Sequence, residues 1–452
     1  MNDKGGDADL GSVFYRNGSA VLPQAVGGDG PYIVAADGRR YLDASSGAGV
    51  SCLGHSDGAV KAAIRAQLDQ IPYAHTRYYT TEAMEALADN LAAGAPGDLS
   101  KVWFTCGGSE AIEAALKLSR QYFLEIGEPE RHQFIGRRQG YHGNTLGALS
   151  VGGNAYRRAN HEPILLSVAH HIGPCFPYRG QEPGESDEAY GQRTADELEA
   201  KIIELGPATV AAFVAETVVG STIGAVAAAP GYFRHVREIC DRYGVLLILD
   251  EIMCGMGRTG SRYACEQEGI APDMIALAKG LSGGYMPLGA LLVSGRIHDA
   301  VRRGSGNFLH GHTFMGHALA CPAALAVQHQ IRERNLLANV GRQGKILGEA
   351  LRARFGNHPH VGDVRGRGLM QCIELVADRG TKEPFDPACA VNVRVKQRAM
   401  DKGLMCYPMG GTLDGRRGDH VMLMPPYIIE SHHINEAVEI LGATVDSVLA
   451  EI

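Results

Sequence analysis

Two charged side chains stand at the ends of apolar runs: Asp250 after Leu246-Leu247-Ile248-Leu249, and Lys279 after Ala276-Leu277-Ala278. Runs of this kind read as strands buried on both faces, as in a parallel sheet covered by helices. Ligands of such sheets sit at the carboxyl ends of the strands, where both residues fall. Glycines follow each one, at Gly255 and Gly257 and at Gly280, Gly283 and Gly284. A lysine desolvated in such a turn has a lowered pKa and attacks aldehydes. An ionised aspartate beside a pyridine nitrogen keeps that nitrogen protonated, so the ring can draw electrons from a carbon next to an imine. Taken singly, the aspartate reads equally well as a helix cap and the lysine as a solvated cation.

Two upstream features complete a ligand. A short strand over 101–105 runs into Cys106-Gly107-Gly108-Ser109-Glu110 and then a helix. Free backbone N–H groups and the positive helix end there suit a phosphate, with the Ser109 hydroxyl as a further donor. Ile112, Ala115 and Leu116 share one face of that helix, and Glu113 is expected to pair with Lys117. Beyond a strand near 133–135, Tyr141 lies between Gly140 and Gly143 and can lay its ring on a ligand ring; a tyrosine tucked into the core is the competing reading. Aldehyde, pyridine, phosphate and a stacking face together describe pyridoxal 5′-phosphate.

The elements that must position these groups follow from periodicity. Short strands are expected around Tyr32-Ile33-Val34 and Arg40-Tyr41-Leu42, and helices over 57–71 and 81–93. Residues 173–193 read as a long polar connection, and the capping box Thr194-Ala195-Asp196-Glu197 as the start of a helix. A strand over 210–215 ends at Glu216, and Pro230 opens a helix that turns Phe233, Val236, Ile239 and Cys240 inward. After a strand over 288–293, His310-Gly311-His312-Thr313-Phe314 is read as opening a long helix to about residue 332. Alternating strands and helices make the fold α/β with a mostly parallel sheet. The chain is expected to divide into a large domain over 66–330 and a smaller α+β domain over 331–452, with residues 1–65 packing on the latter.

Composition narrows the class. Hydrophobic residues make up 45% and charged residues 21%, ordinary for a globular enzyme. A net charge of −7 argues against nucleic acid, and no apolar stretch is long enough to span a membrane. Met1-Asn2-Asp3-Lys4-Gly5-Gly6-Asp7 lacks the features of a signal peptide and reads as a frayed tail on a cytoplasmic protein. Ten scattered cysteines without a CxxC pair fit reduced thiols. His310, His312 and His317 have no carboxylate or cysteine at ligand spacing, so no metal site is expected.

The order of motifs closely resembles the class III aminotransferases, a branch of the fold-type I pyridoxal-phosphate enzymes. The matching strings are Phe104-Thr105-Cys106-Gly107-Gly108-Ser109-Glu110-Ala111, Tyr141-His142-Gly143, Asp250-Glu251-Ile252 with Gly255-Met256-Gly257-Arg258-Thr259-Gly260, and Ala278-Lys279-Gly280-Leu281. Gly311-His312-Thr313-Phe314 and Val364-Arg365-Gly366-Arg367-Gly368 complete the set. The resemblance implies a seven-stranded sheet and a pyridoxal 5′-phosphate site in which Lys279 forms an imine with the aldehyde. It places Asp250 at the ring nitrogen, Ile252 and Tyr141 on the two ring faces, and Gly107, Gly108 and Ser109 at the phosphate. His142 and Glu216 would line the same site, and Thr313 would come from the neighbouring subunit of a homodimer, alone or as a dimer of dimers. Tyr79, Gly49, Glu216 and an arginine before Pro425-Pro426, either Arg416 or Arg417 with Arg417 favoured, would meet substrate.

The implied activity moves an amino group from an ω-amino acid or primary amine to pyruvate or 2-oxoglutarate. A decarboxylating transaminase, an aminomutase or a non-catalytic binding protein could use the same scaffold, though an intact Lys279 argues against the last. Two departures stand out: Met253 replaces the Gln that many relatives direct at the ring hydroxyl, and Gly47-Ala48-Gly49-Val50 lacks the Trp of several pyruvate-using relatives, which implies a roomier wall.

Overall fold

A computed structural model describes residues 12–18 and 22–452; the expected frayed tail over 1–7 lies outside the described residues. The centre is a seven-stranded sheet of β1 (Leu99–Thr105), β2 (Gln133–Arg137), β3 (Ala169–Ile172), β4 (Val210–Glu216), β5 (Leu246–Asp250), β6 (Met274–Leu277) and β7 (Gly289–Ser294). Their spatial order is β1-β7-β6-β5-β4-β2-β3. Strands β2 to β6 pair in parallel, whereas β7 runs antiparallel to both β6 and β1. The β6–β7 connection holds only the short 3₁₀ turn Lys279–Leu281 and no crossover helix. A parallel return needs such a crossover, so the chain comes back antiparallel and leaves Lys279 at the strand end.

Every residue of β5 is buried. Leu247 and Leu249 face one core with Phe213, Phe233 and Leu198, while Leu246 and Ile248 face another with Ile112, Ala115 and Leu116 of the Gly108–Glu125 helix. Each fully buried Leu or Ile contributes roughly 1.5–3 kcal/mol by removal from water, which is why the strand carries no polar residue before its last.

A third core joins Leu42, Leu53 and Val60 to Leu347, Leu351, Leu441 and Val445. It lies against an antiparallel sheet of Val361–Arg367, Met370–Leu375, Asp419–Leu423 and Tyr407–Gly410. Leu404–Met405 pairs in parallel with Arg40–Asp43, so the chain's two ends share a second small sheet. The Ala320–Glu333 helix serves both bodies, with Ala320, Cys321 and Ala324 on the central core and Ala323, Val327 and Ile331 on the third. Buried Arg258 also ties them, donating to the carbonyls of Leu369 and Pro425 and lying over the Tyr427 ring. No helix among the described residues is long and apolar enough to cross a membrane.

Three local expectations are corrected. The helix expected from Thr194 begins at Asp187, capped by the Ser186 hydroxyl, and the Thr194 hydroxyl instead bonds the Tyr190 and Gly191 carbonyls in mid-helix. The helix expected from His310 begins at Ala320, so His310 to Phe314 lie in irregular chain. Pro230 lies just outside its helix, which starts at Tyr232 behind Gly231 in a left-handed cap.

One buried acid in the smaller body gives a pH test. Burial raises the Asp419 carboxyl from 3.8 to about 6, and its one hydrogen bond among the described residues accepts the Asn392 N–H at 3.1 Å, in the first turn of the Val391–Asp401 helix. The folded state therefore holds this proton longer than the unfolded chain. The contribution of Asp419 to wild-type stability falls as pH rises from 3.8 to about 6 and stays lower above that window. Asp419→Asn keeps the acceptor without the charge. It should raise stability at pH 7.5 by on the order of 2 kcal/mol, with little gain at pH 4. Denaturant melts at the two pH values check this; equal differences at both would refute it.

Candidate active site

Parallel pairing places Asp250 of β5 opposite Glu216 of β4 and Ala276 of β6. The strand ends open into a cavity with about 610 Å³ of empty space, lined among others by Gly108, Ser109, Tyr141, Glu216, Asp250 and Lys279. Asp250 is 4% exposed. Its Oδ2 meets His142 Nδ1 at 2.8 Å, and its Oδ1 accepts the Ile252 N–H at 3.0 Å. The other ring nitrogen of His142, Nε2, is buried without a partner among the described residues, which fits Nδ1 as the donor and Nε2 as a bare lone pair.

Lys279 takes φ +47, in the left-handed region that non-glycine residues rarely adopt. Strain of that kind costs of order 1–3 kcal/mol and collects at functional sites. Burial pushes the amine below 10.5, opposed by the carboxylates of Asp250 and Glu216, with the Arg258 cation pushing the same way as burial. More of the amine is therefore in its nucleophilic free-base form at neutral pH than for a solvated lysine. Glu216 is held by two backbone donors, Tyr141 N–H to Oε1 at 3.1 Å and Gly220 N–H to Oε2 at 2.7 Å. Burial, opposed by His142 and reinforced by Asp250, raises its pKa.

The Gly108–Glu125 helix has no side-chain cap at its N-terminus, which opens toward the cavity at Gly108 and Ser109. A Cβ on Gly108 would lie 2.7 Å from Ile252 Cδ1, and one on Gly143 would lie 2.5 Å from Ser109 Oγ, so both positions must stay bare. Ser109 Oγ accepts the Asn144 N–H at 3.0 Å and ties this turn to the Tyr141 loop. Glu113 does not pair with Lys117. It accepts from Thr145 Oγ1 at 2.7 Å and the Ala148 N–H at 3.2 Å, while Lys117 Nζ lies 3.2 Å from His310 Nδ1.

Of the sequence-assigned residues, Gly108, Ser109, Tyr141, His142, Glu216, Asp250, Ile252 and Lys279 line one cavity. Gly107 stands just outside it as the helix N-cap. Gly49 backs one wall, where an added Cβ would lie 3.5 Å from Met253 Cγ. That wall is a left-handed turn, with positive φ at Ser46, Gly47, Ala48 and Gly49 in succession.

Three assigned residues lie elsewhere. Thr313 and Tyr79 are exposed on the surface, and the Thr313 carbonyl accepts from Tyr73 Oη at 3.0 Å. Arg417 is exposed and its Nε pairs with Asp414 Oδ2 at 2.8 Å within its own loop; the N–H groups of Arg416 and Arg417 both bond Asp414 Oδ1. Sequence reading passed over Val218, Ser221, Cys254 and Ala278, which also line the cavity; no charge or glycine marks them. It also treated His312 as lacking companions. In the fold its Nδ1 lies 3.7 Å from Cys106 Sγ, with Glu110 Oε2 3.7 Å from its Nε2, contacts that spacing along the chain does not reveal.

The fold matches that of an aminotransferase from Vibrio fluvialis, solved with bound PMP, at a TM-score of 0.89 and 31% identity over 95% of this chain and 94% of that one. The protein is thus a fold-type I transferase of the pyridoxal-phosphate class. Residues 14–445 match the family model for class-III aminotransferases, and the chain belongs to that family. An uncharacterised aminotransferase of Schizosaccharomyces pombe is 43% identical over 97% of this chain and 95% of its own length. The diaminobutyrate–2-oxoglutarate transaminase of Halomonas elongata is 34% identical over 94% and 90%. The cofactor of the family is pyridoxal 5′-phosphate, and the cavity fits it: a buried acid, a desolvated amine, and two glycines whose bareness leaves an uncapped helix end open.

Proposed function

We propose that the protein is an ω-aminotransferase that takes nitrogen from an ω-amino acid or primary amine and passes it to pyruvate or 2-oxoglutarate. One observation carries the donor class: among the described residues lining the cavity, Lys279 is the sole cation. No guanidinium lines the cavity beside the reacting carbon, and the Gly49 wall is small. A donor whose carboxylate is remote, or absent, suits that space better.

Bound pyridoxal 5′-phosphate supplies an aldehyde that condenses with amines and a pyridine ring that draws electrons from the neighbouring carbon. Lys279 Nζ is then the group that attaches the cofactor and, when released, carries a proton. Asp250 holds the proton on the ring nitrogen, and His142 keeps the carboxylate turned toward it. Gly107, Gly108 and Ser109 hold the phosphate; Ile252 and Tyr141 confine the ring. Glu216, pinned by two backbone N–H groups, shapes the pocket beside Asp250.

A homodimer completes this reading. Thr313 is exposed beside a groove with Trp103, Phe308 and Leu309, and Leu309 is 78% exposed, an apolar face that a second copy would cover while the partner's Thr313 reaches the phosphate. Light scattering should give about twice 48.2 kDa. Amine donors assayed against pyruvate and 2-oxoglutarate test the reaction. Turnover with ω-amino donors, beyond the alanine or glutamate that reversal of the acceptor half-reaction consumes, supports it, and turnover confined to α-amino acids refutes it. Release of carbon dioxide, or turnover without any keto acid, would replace it with a decarboxylating transaminase or an aminomutase.

A further inference from the structure

Two adjacent arginines near the cavity differ in what they do. Arg158 is consumed by the fold: its guanidinium donates to the carbonyls of Leu149, Ser150 and Gly152 and pairs with Glu162 at 3.2 Å. Arg157 is half-buried, yet among the described residues its guanidinium has no carboxylate or carbonyl partner. Its Cζ lies 4.6 Å from the centroid of the Tyr141 ring, and Tyr141 lines the cavity.

The surroundings hold Arg157 in that place. Asn154 Oδ1 accepts the Arg157 N–H at 3.0 Å, and Asn154 Nδ2 donates to Gln139 Oε1 at 2.8 Å. Gln139, itself at φ +60, donates onward to the Gly411 carbonyl at 2.7 Å. Both amides are buried, so the backbone under Arg157 is fixed to the loop that carries Arg416 and Arg417. Tyr407 borders the same spot. It packs beside Met253 on the cluster holding Val218 and Cys254, all three cavity-lining residues, and burial raises its phenol, opposed by the Arg157 and Arg16 cations and reinforced by the Tyr141 phenol. Arg157 thus lies over the ring of a cavity-lining tyrosine on a fixed backbone, with no ion-pair partner among the described residues.

We infer that Arg157, lying over Tyr141, is the anion subsite that receives the remote carboxylate of an ω-amino donor. The inference rests on the proposed donor class and gives it a residue. A guanidinium fork matches a carboxylate with two parallel N–H donors, and the Tyr141 ring against it limits the water that competes. Arg417 already has a carboxylate in Asp414; among the described residues Arg157 has none, and Arg416, also without one, is exposed where Arg157 is half-buried.

The test compares 4-aminobutyrate with n-butylamine as donors and pyruvate as common acceptor, using the holoenzyme. Losing a charged hydrogen-bonded pair costs about 10- to 100-fold. Arg157→Gln should therefore raise KM for 4-aminobutyrate about that much, leaving kcat, KM for n-butylamine and KM for pyruvate within about twofold. Arg157→Lys, which keeps the charge and loses the fork, should fall between and serves in place of the first variant if that one folds poorly. Equal changes for the two donors, no change for either, or a selective loss in Arg417→Gln instead would overturn the assignment. A wild-type enzyme inert to 4-aminobutyrate but active on n-butylamine would also overturn it. Inactivity of the wild type toward every amine would instead remove the transaminase reading on which it rests.

Discussion

Lys279→Ala should lower transamination by about 10⁴-fold or more while leaving a folded protein that still binds cofactor without a covalent bond. The size follows from two roles resting on one atom. On the proposed reading Nζ is the nucleophile that attaches the cofactor, and among the described residues it is the one basic side chain lining the cavity that burial pushes below its ordinary pKa. No neighbour can substitute: Asp250 is engaged by His142 and Ile252, and Glu216 by two backbone N–H groups. The fold should survive, because the backbone of Lys279 is held by Ser282 N–H and Gly283 N–H bonding its carbonyl, at 3.2 and 2.9 Å, and not by its side chain. Three measurements check this together: steady-state rate, thermal midpoint, and borohydride fixation of the cofactor, which should label wild type and not the variant. A variant that keeps a tenth of wild-type turnover would remove Lys279 from the mechanism.

How much of this was legible in the chain depends on the kind of signal. Asp250 and Lys279 could be read because an apolar run that ends in one charge marks a buried strand's carboxyl end, a rule local to a few residues. The uncapped helix at Gly108 was legible for the same reason: glycine, serine and the helical face lie together in sequence. Pairings across the fold were not. His142 meets Asp250 over 108 positions, and Cys106 meets His312 over 206. Those contacts are set by strand order and by the packing of loops on the sheet, and periodicity reports which face is buried, not what it meets. The helix from Asp187 was hidden by its own composition. Tyr190, Gly191, Ala195, Leu198 and Ile202 are buried, but the polar residues around them dilute the pattern, and the Thr194 capping box is a stronger local signal that tertiary packing overrode. Arg417 illustrates the reverse. The sequence offers two arginines in a loop with no sign that Asp414 takes one of them, while Arg157 sits in a segment where an adjacent arginine is purely structural.

Asp250→Asn should lower kcat by about 10²- to 10³-fold, the usual loss when one preorganised electrostatic contact to a reacting group is removed. On the proposed reading the carboxylate keeps a proton on the ring nitrogen, and an uncharged amide of the same shape cannot do so. The substitution also disturbs the residue behind it. Asp250 accepts from Ile252 N–H with one oxygen and from His142 Nδ1 with the other. Asparagine has one oxygen; if it serves Ile252, the amide NH₂ faces His142 and forces that ring to accept at Nδ1 and carry its proton at Nε2. That nitrogen is buried without a partner among the described residues, so the switch costs about 1–3 kcal/mol as an unsatisfied donor. The variant should therefore lose stability as well as rate. Asp250→Glu and His142→Ala separate the two effects. Glutamate keeps the charge but displaces it, so part of the rate should return. His142→Ala keeps Asp250 and its Ile252 contact, so it should cost less in kcat than Asp250→Asn, because His142 orients the charge without supplying it. Rates at saturating cofactor and urea midpoints for the three variants decide the matter. An Asp250→Asn enzyme within tenfold of wild type, or a His142→Ala enzyme more impaired than it, would mean that the charge at Asp250 is not what this cavity is built around.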